Sequence, residues 1–376
     1  MKITIVMGAF LPVPPIMGGA VEKVWLALGQ EFARAGHDVV QISRAVPQLP
    51  AAETIEGVRH IRVPGFDAPA SMLWLKALDL AYSLRAVPVI PASDIILTNT
   101  FWLPILLRSG KRGSLYVHVA RYPKGQMRFY KHAARLQTPS RPVADAVTAE
   151  VPSMRDKVKV VPNPRPITYA GSAPSFDERD ATLLYVGRLH PEKGVHLLVE
   201  AFAGLPSEVR GVWKLRIVGP WESRFGGGGE AYRAQLQRVA ANTTGVEFTG
   251  PIFDGAQLER EFRSAALFVY PSLAERGETF GVAPLEAMTH GCPVLVSDLG
   301  CFHDFIAHRQ TGFIFDHRAA EPARELQIKL VTLLADRVEL ARIGEAGYRK
   351  SDEYTTARVA SQFLEDFEAV IAPRHG

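Results

Sequence analysis

Short apolar runs alternate with amphipathic stretches along nearly the whole chain. Ile3–Met7 precedes a helical pattern from Ala20 to Ala35 that ends at Gly36, and Val39–Ile42 follows as the next apolar run. A strand, a helix and a further strand in succession favour a parallel sheet with helices on both faces. The sequence therefore predicts the α/β class.

The alternation breaks once, in the proline-rich stretch 162–166, and then restarts. Proline, glycine and charged residues concentrate after the break, so we predict a linker over residues 167–181. The linker would separate an N-terminal domain of residues 1–166 from a second domain of residues 182–350. A chain of 376 residues is long enough for two such domains. A helical pattern over about residues 354–372 ends the sequence.

Composition and the N-terminus exclude several classes of protein. The chain begins with an apolar run too short for a signal peptide and contains no apolar stretch long enough to span a membrane, which predicts a cytoplasmic protein. Its two cysteines cannot form a disulfide framework or a four-cysteine zinc site. The formal net charge of +4 is too small to indicate a nucleic-acid partner.

A strand, a polar loop and a helix follow each other around Glu278 and Glu286. The helix is expected to begin near Gly281 or Val282, with Pro284 in its first turn, where proline is tolerated. The free N–H groups and the dipole of a helix N-terminus bind anions, so both carboxylates could face a ligand there. Alternatively, Glu278 is an ordinary acid ahead of a helix and Glu286 is solvated.

Three further segments carry residues that could contact a ligand near the ends of predicted strands. Arg188 and Lys193 flank a tight turn, where a guanidinium and an ammonium suit a diphosphate, although a solvated basic turn would look the same. Gly18 and Gly19 have no side chains, so a ligand could approach the backbone N–H groups there. Alternatively, the two glycines form an ordinary turn. His118 ends an apolar strand. A histidine at such a position is either a buried residue with a structural role or a residue that contacts a ligand. The sequence contains no G-x-G-x-x-G fingerprint and no Walker A motif.

Together these segments resemble retaining glycosyltransferase family 4. The resemblance extends over nearly the whole chain and is strongest over residues 183–316. Residues 278–286 match the family's motif of two glutamates separated by seven residues, and residues 291–294 and 311–313 match its downstream segments. The resemblance implies the GT-B fold. This fold has two facing Rossmann-like domains, each a doubly wound parallel sheet, with a cleft between them and a C-terminal helix that crosses back to the N-terminal domain.

The resemblance also implies roles for individual positions. The implied catalytic residues are Glu278, His118, Arg188 and Lys193. The implied donor-binding residues are Gly18, Gly19, Arg188, Lys193, Pro251, Ile252, Glu278, Phe280, Gly281, Val282 and Glu286. In this scheme Glu278 and His118 contact the donor sugar, and Glu286 contacts the ribose. Arg188 and Lys193 neutralise the diphosphate, and the backbone around Pro251 and Ile252 reads the base.

The implied reaction uses no metal ion and no other cofactor. Glycosyl transfer develops positive charge on the sugar and negative charge on the leaving diphosphate, so fixed cations must stabilise the diphosphate. The Asp-x-Asp motif that holds Mg²⁺ in many transferases is absent, and Arg188, Lys193 and the helix N-terminus would replace the metal. Retention is expected to follow a front-face path. A covalent glycosyl-enzyme is disfavoured because no second carboxylate matches a nucleophile position in the N-terminal domain.

A basic span without aspartate or glutamate runs from Ile95 to Ala144. It includes Arg121, Lys124, Arg128 and Lys131, with aromatic residues interspersed. This pattern predicts a face for a lipid-phosphate acceptor or an anionic membrane, although a solvated basic face fits equally well.

The predicted activity is retaining hexosyl transfer from a nucleotide-diphosphate sugar, with UDP-glucose as the first choice and GDP-mannose as the second. The acceptor would be a glycan, a lipid-linked precursor or a small molecule, as in polysaccharide biosynthesis. A nucleotide-sugar epimerase is the enzymatic alternative. A two-domain ligand-binding protein is the non-enzymatic alternative. The protein is expected in the cytoplasm, with peripheral contact at the inner face of the membrane where the basic span binds lipid.

Overall fold

The structure is a computed structural model that describes residues 1–69, 71–107, 111–165 and 175–372. Its internal contacts divide the chain into two units. Unit 1 consists of Met1–Pro166 and Tyr354–Gly376, and unit 2 consists of Ile167–Glu353.

The described residues of unit 1 form one eight-stranded sheet with helices packed on it. Its strands are β1 Lys2–Val6, β2 Asp38–Ala45, β3 Ala52–Ile55, β4 Val58–Pro64, β5 Ile95–Thr98, β6 Ser114–His118, β7 Arg135–Thr138 and β8 Val158–Val160. Its helices are α1 Ala20–Arg34, α2 Met72–Ala86, α3 Leu103–Leu106, α4 Arg141–Glu150 and, at the end of the chain, α12 Thr356–Ile371. The strand order is β3-β4-β2-β1-β5-β6-β7-β8, and the strands are parallel except for β3, which pairs antiparallel with β4.

The described residues of unit 2 form a six-stranded sheet in which every strand pair is parallel. Its strands are β9 Asp180–Val186, β10 Lys214–Val218, β11 Val246–Gly250, β12 Ala265–Tyr270, β13 Val294–Ser297 and β14 Phe313–Phe315. Its helices are α5 Val195–Ala203, α6 Ser207–Arg210, α7 Gly229–Ala240, α8 Gly255–Ser264, α9 Val282–Thr289, α10 Pro322–Leu334 and α11 Arg337–Ser351. The strand order is β11-β10-β9-β12-β13-β14.

The central strands are apolar because both faces of each parallel sheet are covered. Every residue of β12 is buried, and so is every residue of β13. Such strands read as continuous apolar runs rather than as alternating patterns. Their continuous apolar character is the reason why the sequence predicts these strands.

Helix α12 packs on α1 within unit 1, as the resemblance implied. The ring of Phe363 contacts the rings of Trp25 and Phe32, and both Phe363 and Phe367 are buried. The Asp366 carboxylate of α12 also accepts a hydrogen bond from the Tyr116 hydroxyl of β6 at 2.8 Å. The end of the chain is therefore part of the N-terminal unit.

The structure differs from the prediction at the end of the linker. Residues 166–174 lie outside the described residues, so most of the predicted linker is not described. Phe176–Glu178 form a 3₁₀ turn and β9 already begins at Asp180, inside the predicted linker. Arg179, the residue directly before β9, is buried although it is charged, so the composition of this segment did not indicate that it joins the folded domain.

Candidate functional site

Lys193 and Glu278 form the centre of the candidate site in unit 2. The Lys193 Nζ atom lies 2.7 Å from Glu278 Oε2, and the two side chains are 9 % and 11 % exposed. Lys193 ends a 3₁₀ turn that follows β9, and Glu278 lies in the loop that follows β12. Because β9 and β12 are neighbours in a parallel sheet, the two loops meet at its carboxyl edge.

Three donors bind the same oxygen of Glu278. Besides Lys193, the hydroxyl of Tyr270 donates to Oε2 at 3.2 Å and the hydroxyl of Ser272 donates at 3.3 Å. Burial and the neighbouring Glu278 charge raise the pKa of Tyr270 well above its usual range, so its hydroxyl stays protonated and donates. This arrangement fixes the carboxylate and directs Oε2 toward the protein. Sequence reasoning missed Tyr270 and Ser272, whose only signal is their position at the strand end.

Arg188 lies on the same loop as Lys193 and has partners of its own. Its guanidinium is 3.0 Å from the Glu192 carboxylate and donates to the Gly226 carbonyl at 2.5 Å. The Arg188 and Glu192 side chains are 42 % and 38 % exposed, so the pair lies at the surface. Glu192 was not predicted as a site residue, although it directly precedes Lys193 in the sequence.

Two glycines permit the close approach of the loops that carry the site. Gly194 has φ +67, and a Cβ atom there would lie 1.9 Å from the Pro271 carbonyl oxygen. Gly281 has φ +99, and a Cβ atom there would lie 2.4 Å from the ring of Phe302. Both positions combine a left-handed backbone with a close neighbour, so any side chain would displace the site.

The remaining predicted residues of unit 2 lie along the same edge of the sheet. Helix α9 begins at Val282 with Gly281 as its N-cap, as predicted, and Glu286 lies half-buried on this helix. Phe280 is buried just before it. Pro251 and Ile252 follow β11, which is two strands away from β9. The structure thus places them at the same edge but away from the Lys193–Glu278 pair.

The predicted residues of unit 1 lie directly before α1 and at the end of β6. Gly18 and Gly19 have φ values of +82 and +109 and precede α1, with Gly19 as its N-cap. His118 ends β6, and the ring of Trp25 from α1 packs edge-on against it at 5.2 Å. Helix α1 therefore connects the glycine turn with the histidine.

His118 is buried and held in one orientation. Its Nδ1 lies 2.5 Å from Gln137 Oε1, while Gln137 Nε2 donates to the Val161 carbonyl at 2.6 Å. Because the Gln137 amide already donates through its nitrogen, its oxygen faces the ring and the proton of His118 is on Nδ1. Burial lowers the pKa of His118 to about 4, so the ring is neutral at neutral pH.

Glu22 is a further buried carboxylate at this end of unit 1. It lies in the first turn of α1, close enough to the glycine turn that a Cβ atom on Gly19 would be 2.2 Å from its Oε2. Burial raises the pKa of Glu22, and the Arg121 charge partly offsets this shift. Sequence reasoning assigned it no role, although an acid in the first helical turn after two glycines is a readable signal.

The four basic residues predicted for an acceptor or a membrane are all exposed. Arg121, Lys124, Arg128 and Lys131 lie on the segment that follows β6. The Glu150 carboxylate of α4 holds this segment, since it accepts hydrogen bonds from two of its backbone N–H groups at 2.8 and 2.6 Å.

Both units match models of known protein families. Residues 17–168 match the model described as Glycosyltransferase Family 4, and residues 172–350 match the model described as Glycosyl transferases group 1. The chain belongs to glycosyltransferase family 4. The predicted family membership is therefore confirmed.

Curated relatives of this family 4 chain match about half of it. The D-inositol 3-phosphate glycosyltransferase of Segniliparus rotundus is 29 % identical over 52 % of this chain and 41 % of its own length. The phosphatidyl-myo-inositol mannosyltransferase of Mycobacterium leprae is 30 % identical over 56 % of this chain and 53 % of its own length. The chain thus spans about half the length of these relatives.

Solved structures resemble the whole chain. The Anabaena protein Alr3699/HepE, in complex with UDP and glucose, aligns with a TM-score of 0.72 and 19 % identity over 98 % of this chain and 100 % of its own. A likeness at this identity establishes the fold alone. The predicted GT-B fold is confirmed.

Neither a metal cluster nor a membrane-spanning helix is found in the parts of the chain that the structure describes. No three histidine, cysteine, aspartate or glutamate side chains among the described residues are grouped so as to hold a metal ion. None of the helices within the described ranges is long and apolar enough to cross a membrane. That the reaction uses no metal ion and no other cofactor stays a prediction.

Proposed function

We propose that this family 4 glycosyltransferase transfers a hexose from a nucleotide-diphosphate sugar with retention of configuration and without a metal ion. The observation that carries the proposal is the buried Lys193–Glu278 pair, with Arg188 on the same loop as Lys193. A carboxylate suits the hydroxyl groups of a sugar, and two cations suit a diphosphate. These are the two parts of a nucleotide-sugar donor that meet at the bond to be broken.

Each residue of unit 2 then has a defined task. Glu278 binds sugar hydroxyls through Oε1, because Oε2 already accepts the three protein donors. Lys193 and Arg188 neutralise the diphosphate, and the N–H groups at the start of α9 bind sugar and phosphate. Glu286 binds the ribose hydroxyls, and the backbone at Pro251 and Ile252 binds the base. The proposal requires Arg188 to exchange its contact with Glu192 for one with phosphate.

On unit 1 we assign donor contacts to the glycine turn and to His118. The N–H group of Gly19 binds phosphate at the start of α1, and Gly18, whose own N–H donates to the Pro15 carbonyl at 3.0 Å, leaves room for the phosphate because it has no side chain. The neutral His118 ring donates through Nδ1 to Gln137, so its Nε2 accepts a hydrogen bond from a sugar hydroxyl.

The proposed chemical step follows a front-face path. The bond from the sugar's anomeric carbon to the diphosphate oxygen breaks, and the bond to the acceptor oxygen forms on the same face. The proton of the acceptor hydroxyl passes to the departing phosphate oxygen. Lys193 and Arg188 stabilise the negative charge that develops on the leaving group. A covalent glycosyl-enzyme would give the same stereochemistry, and trapping a glycosylated side chain would contradict the front-face path.

We propose UDP-glucose as the donor and a phosphate-bearing polyol as the acceptor. UDP and glucose are the compounds bound in the Anabaena structure, which supports this donor, and GDP-mannose is the second candidate because one relative is named a mannosyltransferase. The exposed cations Arg121, Lys124, Arg128 and Lys131 suit an acceptor phosphate. The two relatives named for inositol lipids or inositol phosphate support the same choice.

Thermal unfolding with a panel of nucleotide sugars tests the proposed donor. In the presence of EDTA we expect UDP-glucose to raise the melting temperature by several degrees, because a ligand at one hundred times its Kd stabilises the folded state by about 2.7 kcal/mol. The shift should be lost in Arg188→Ala and kept in Arg349→Ala, which removes an exposed arginine of α11 that is paired with Glu345. A shift with GDP-mannose alone would change the donor, and no shift with UDP-, GDP-, ADP- or dTDP-sugars would contradict the proposal.

Product analysis separates transfer from the two alternatives. With UDP-glucose and inositol phosphate, a transferase forms an α-linked glucoside, whereas an epimerase releases an epimerised sugar nucleotide without any acceptor. A binding protein would give the thermal shift but no product. NMR of the reaction mixture distinguishes these three outcomes.

The hydroxyls of Tyr270 and Ser272 should matter for the rate of transfer. Replacing both, as Tyr270→Phe with Ser272→Ala, should lower kcat by about tenfold or more, because each hydrogen bond to a charged group contributes about 1.5–3 kcal/mol. The KM for the donor should change far less, since the cations that bind the diphosphate remain. Steady-state kinetics checks this split.

The matched control is Tyr232→Phe. Tyr232 is a buried tyrosine of unit 2 whose hydroxyl is bonded to His196 instead of Glu278. If this variant loses as much kcat as the Tyr270 and Ser272 variant, the assigned positioning role is wrong.

A further inference from the structure

Helix α2 of unit 1 exposes several large apolar side chains and buries two polar ones, Asp79 and Ser83, beside the core residues Tyr82 and Ala86. Its buried residues are Asp79, Tyr82, Ser83 and Ala86. Its exposed residues include Met72, Leu73, Trp74 and Leu84, and the side chains of Leu73 and Trp74 are 79 % and 63 % exposed. A helix on the surface of a water-soluble domain normally shows the opposite distribution.

Polar contacts hold the inward face of α2. The Asp79 carboxylate accepts hydrogen bonds from the backbone N–H groups of Phe101 and Trp102 at 3.1 and 3.2 Å. Residues 73, 77, 80 and 84 follow the helical spacing of three and four, and they are leucine or alanine. The hydrogen bonds of Asp79 therefore fix an orientation in which Leu73, Ala77 and Leu84 of this stripe are exposed and Leu80 is half-buried.

Apolar side chains are also exposed on two neighbouring segments. The Lys76 ammonium lies 4.8 Å above the ring of Phe101, whose ring contacts that of Tyr130 at 6.3 Å. Next to these residues, Leu106 of α3 and Phe129 are 36 % and 44 % exposed. We call the exposed apolar residues Met72, Leu73, Trp74, Leu84, Leu106 and Phe129 the outer face.

Positive charge borders the outer face. Lys76 and Arg85 lie on α2 itself, and Arg128 and Lys131 flank Phe129 and Tyr130 in the sequence; all four are exposed. Between residues 71 and 144 the acidic residues are Asp79 and Asp94. Asp79 is buried, and Asp94 precedes β5 at the amino end of the sheet, where its carboxylate accepts the Lys2 N–H. The border of the outer face thus presents cations, while the Glu150 carboxylate of α4 lies against the segment that carries Arg128 and accepts two of its backbone N–H groups.

We propose that the outer face docks on an anionic membrane, with Leu73 and Trp74 inserted into the interface and the flanking cations bound to lipid headgroups. Tryptophan and leucine side chains favour the region between headgroups and acyl chains, and lysine and arginine favour anionic lipid. An apolar partner protein would not require the flanking cations, and a second copy of this chain would bring its own cations against them. Charge complementarity therefore favours the membrane. The proposal does not require the transfer reaction, although two of its cations, Arg128 and Lys131, are also proposed to bind the acceptor phosphate.

Co-sedimentation with vesicles tests the proposal on the full chain without any nucleotide sugar. The parent protein should bind vesicles of phosphatidylglycerol mixed with phosphatidylcholine and should bind phosphatidylcholine alone much more weakly. Raised salt should weaken the binding, because the charges at the border are screened. The double variant Leu73→Asp with Trp74→Ser should lower binding by about tenfold or more, since each inserted side chain contributes about that factor.

A matched control separates the outer face from exposed apolar residues in general. Leu73 is the second residue of α2, and Val338 is the second residue of α11 and is 81 % exposed. Val338→Asp should leave vesicle binding unchanged. In both helices the new carboxylate lies in the first turn, where it favours the helix, so neither variant should lower the melting temperature.

Three results would overturn the proposal. The first is a parent protein that does not bind the anionic vesicles. The second is binding that the double variant retains. The third is a dimer in solution that the double variant dissociates while vesicle binding is absent, which would assign the outer face to a second copy of the chain.

Discussion

Lys193→Met is expected to lower kcat/KM for transfer by about 10²–10³-fold. The ammonium has two tasks in the proposed mechanism. It stabilises the charge on the leaving diphosphate, and removal of one donor at such a position typically costs a factor of this size. It also lies 2.7 Å from Glu278 Oε2, and both side chains are about nine-tenths buried. Without the ammonium, the Glu278 carboxylate loses its cationic partner and the contact that orients it toward the sugar.

A double variant separates the catalytic task of Lys193 from its task in the fold. Removing one member of a buried pair leaves an uncompensated charge, so Lys193→Met and Glu278→Gln should each destabilise unit 2. The double variant Lys193→Met with Glu278→Gln leaves no charge and should recover much of that stability, yet it should remain inactive. Urea unfolding and steady-state kinetics measure the two effects independently.

The control for the loss of a lysine is Lys214→Met. Lys214 is exposed at the start of β10, at the opposite end of that strand from the candidate site. This variant should retain the parent's kcat/KM. Recovery of transfer in the double variant would contradict the assigned roles, because it would show that the pair serves stability alone.

The central strands of both sheets could be predicted because their sequences are continuous apolar runs. The apolar run Ile3–Met7 differs by one residue from the observed β1, Lys2–Val6, and the run Val39–Ile42 lies within β2, Asp38–Ala45. Both faces of these strands are covered, so the apolar character alone identifies them.

Strand β4, which lies between β3 and β2, could not be predicted because its sequence is not a continuous apolar run. It carries His60 and Arg62, which are buried, so its sequence reads as polar. The Arg62 guanidinium donates to the Val13 carbonyl and pairs with Glu53 of β3 at 2.5 Å. Such pairing depends on residues distant in the sequence. Three-residue β14 is too short for any pattern to be recognised.

The sequence predicts Glu278 and Lys193 as site residues, but it does not predict that they contact each other. Glu278 and Lys193 each stand at the end of an apolar run, which the sequence shows. That they touch depends on β9 and β12 being neighbours, and strand order does not follow from the sequence pattern. The same holds for Tyr270 and Ser272, whose hydroxyls acquire a role only once the Glu278 carboxylate lies within hydrogen-bond distance.

Arg179→Met is expected to destabilise unit 2 by about 3–5 kcal/mol. The guanidinium is buried and donates to four backbone carbonyls, those of Phe262, Arg263, Ala265 and His290, at 2.5–3.0 Å. Phe262 and Arg263 belong to the last turn of α8, and His290 is the C-cap of α9. Carbonyls at helix C-termini have no helical partner and carry negative partial charge, which a cation satisfies.

Methionine would fill part of the volume of Arg179 but leave these carbonyls without their donor. Each buried polar group left unsatisfied costs about 1–3 kcal/mol, so the effect should be among the largest for a single substitution in this chain. Arg179→Lys should cost less, because an ammonium keeps part of the hydrogen bonding. The same replacement at the exposed Arg349, Arg349→Met, should change stability by about 0.5 kcal/mol or less. Urea unfolding followed at several temperatures measures all three.

Arg179 also connects stability with the candidate site. Its contact with the His290 carbonyl holds the C-terminal end of α9, the helix whose N-terminal end carries Gly281 and the proposed donor contacts. We therefore expect Arg179→Lys, which should remain folded, to raise the KM for the donor while leaving kcat close to that of the parent. If the Arg179→Lys variant is less stable but has an unchanged KM for the donor, Arg179 contributes to stability alone. A raised KM would show that the contact at the C-terminal end of α9 affects donor binding at its N-terminal end.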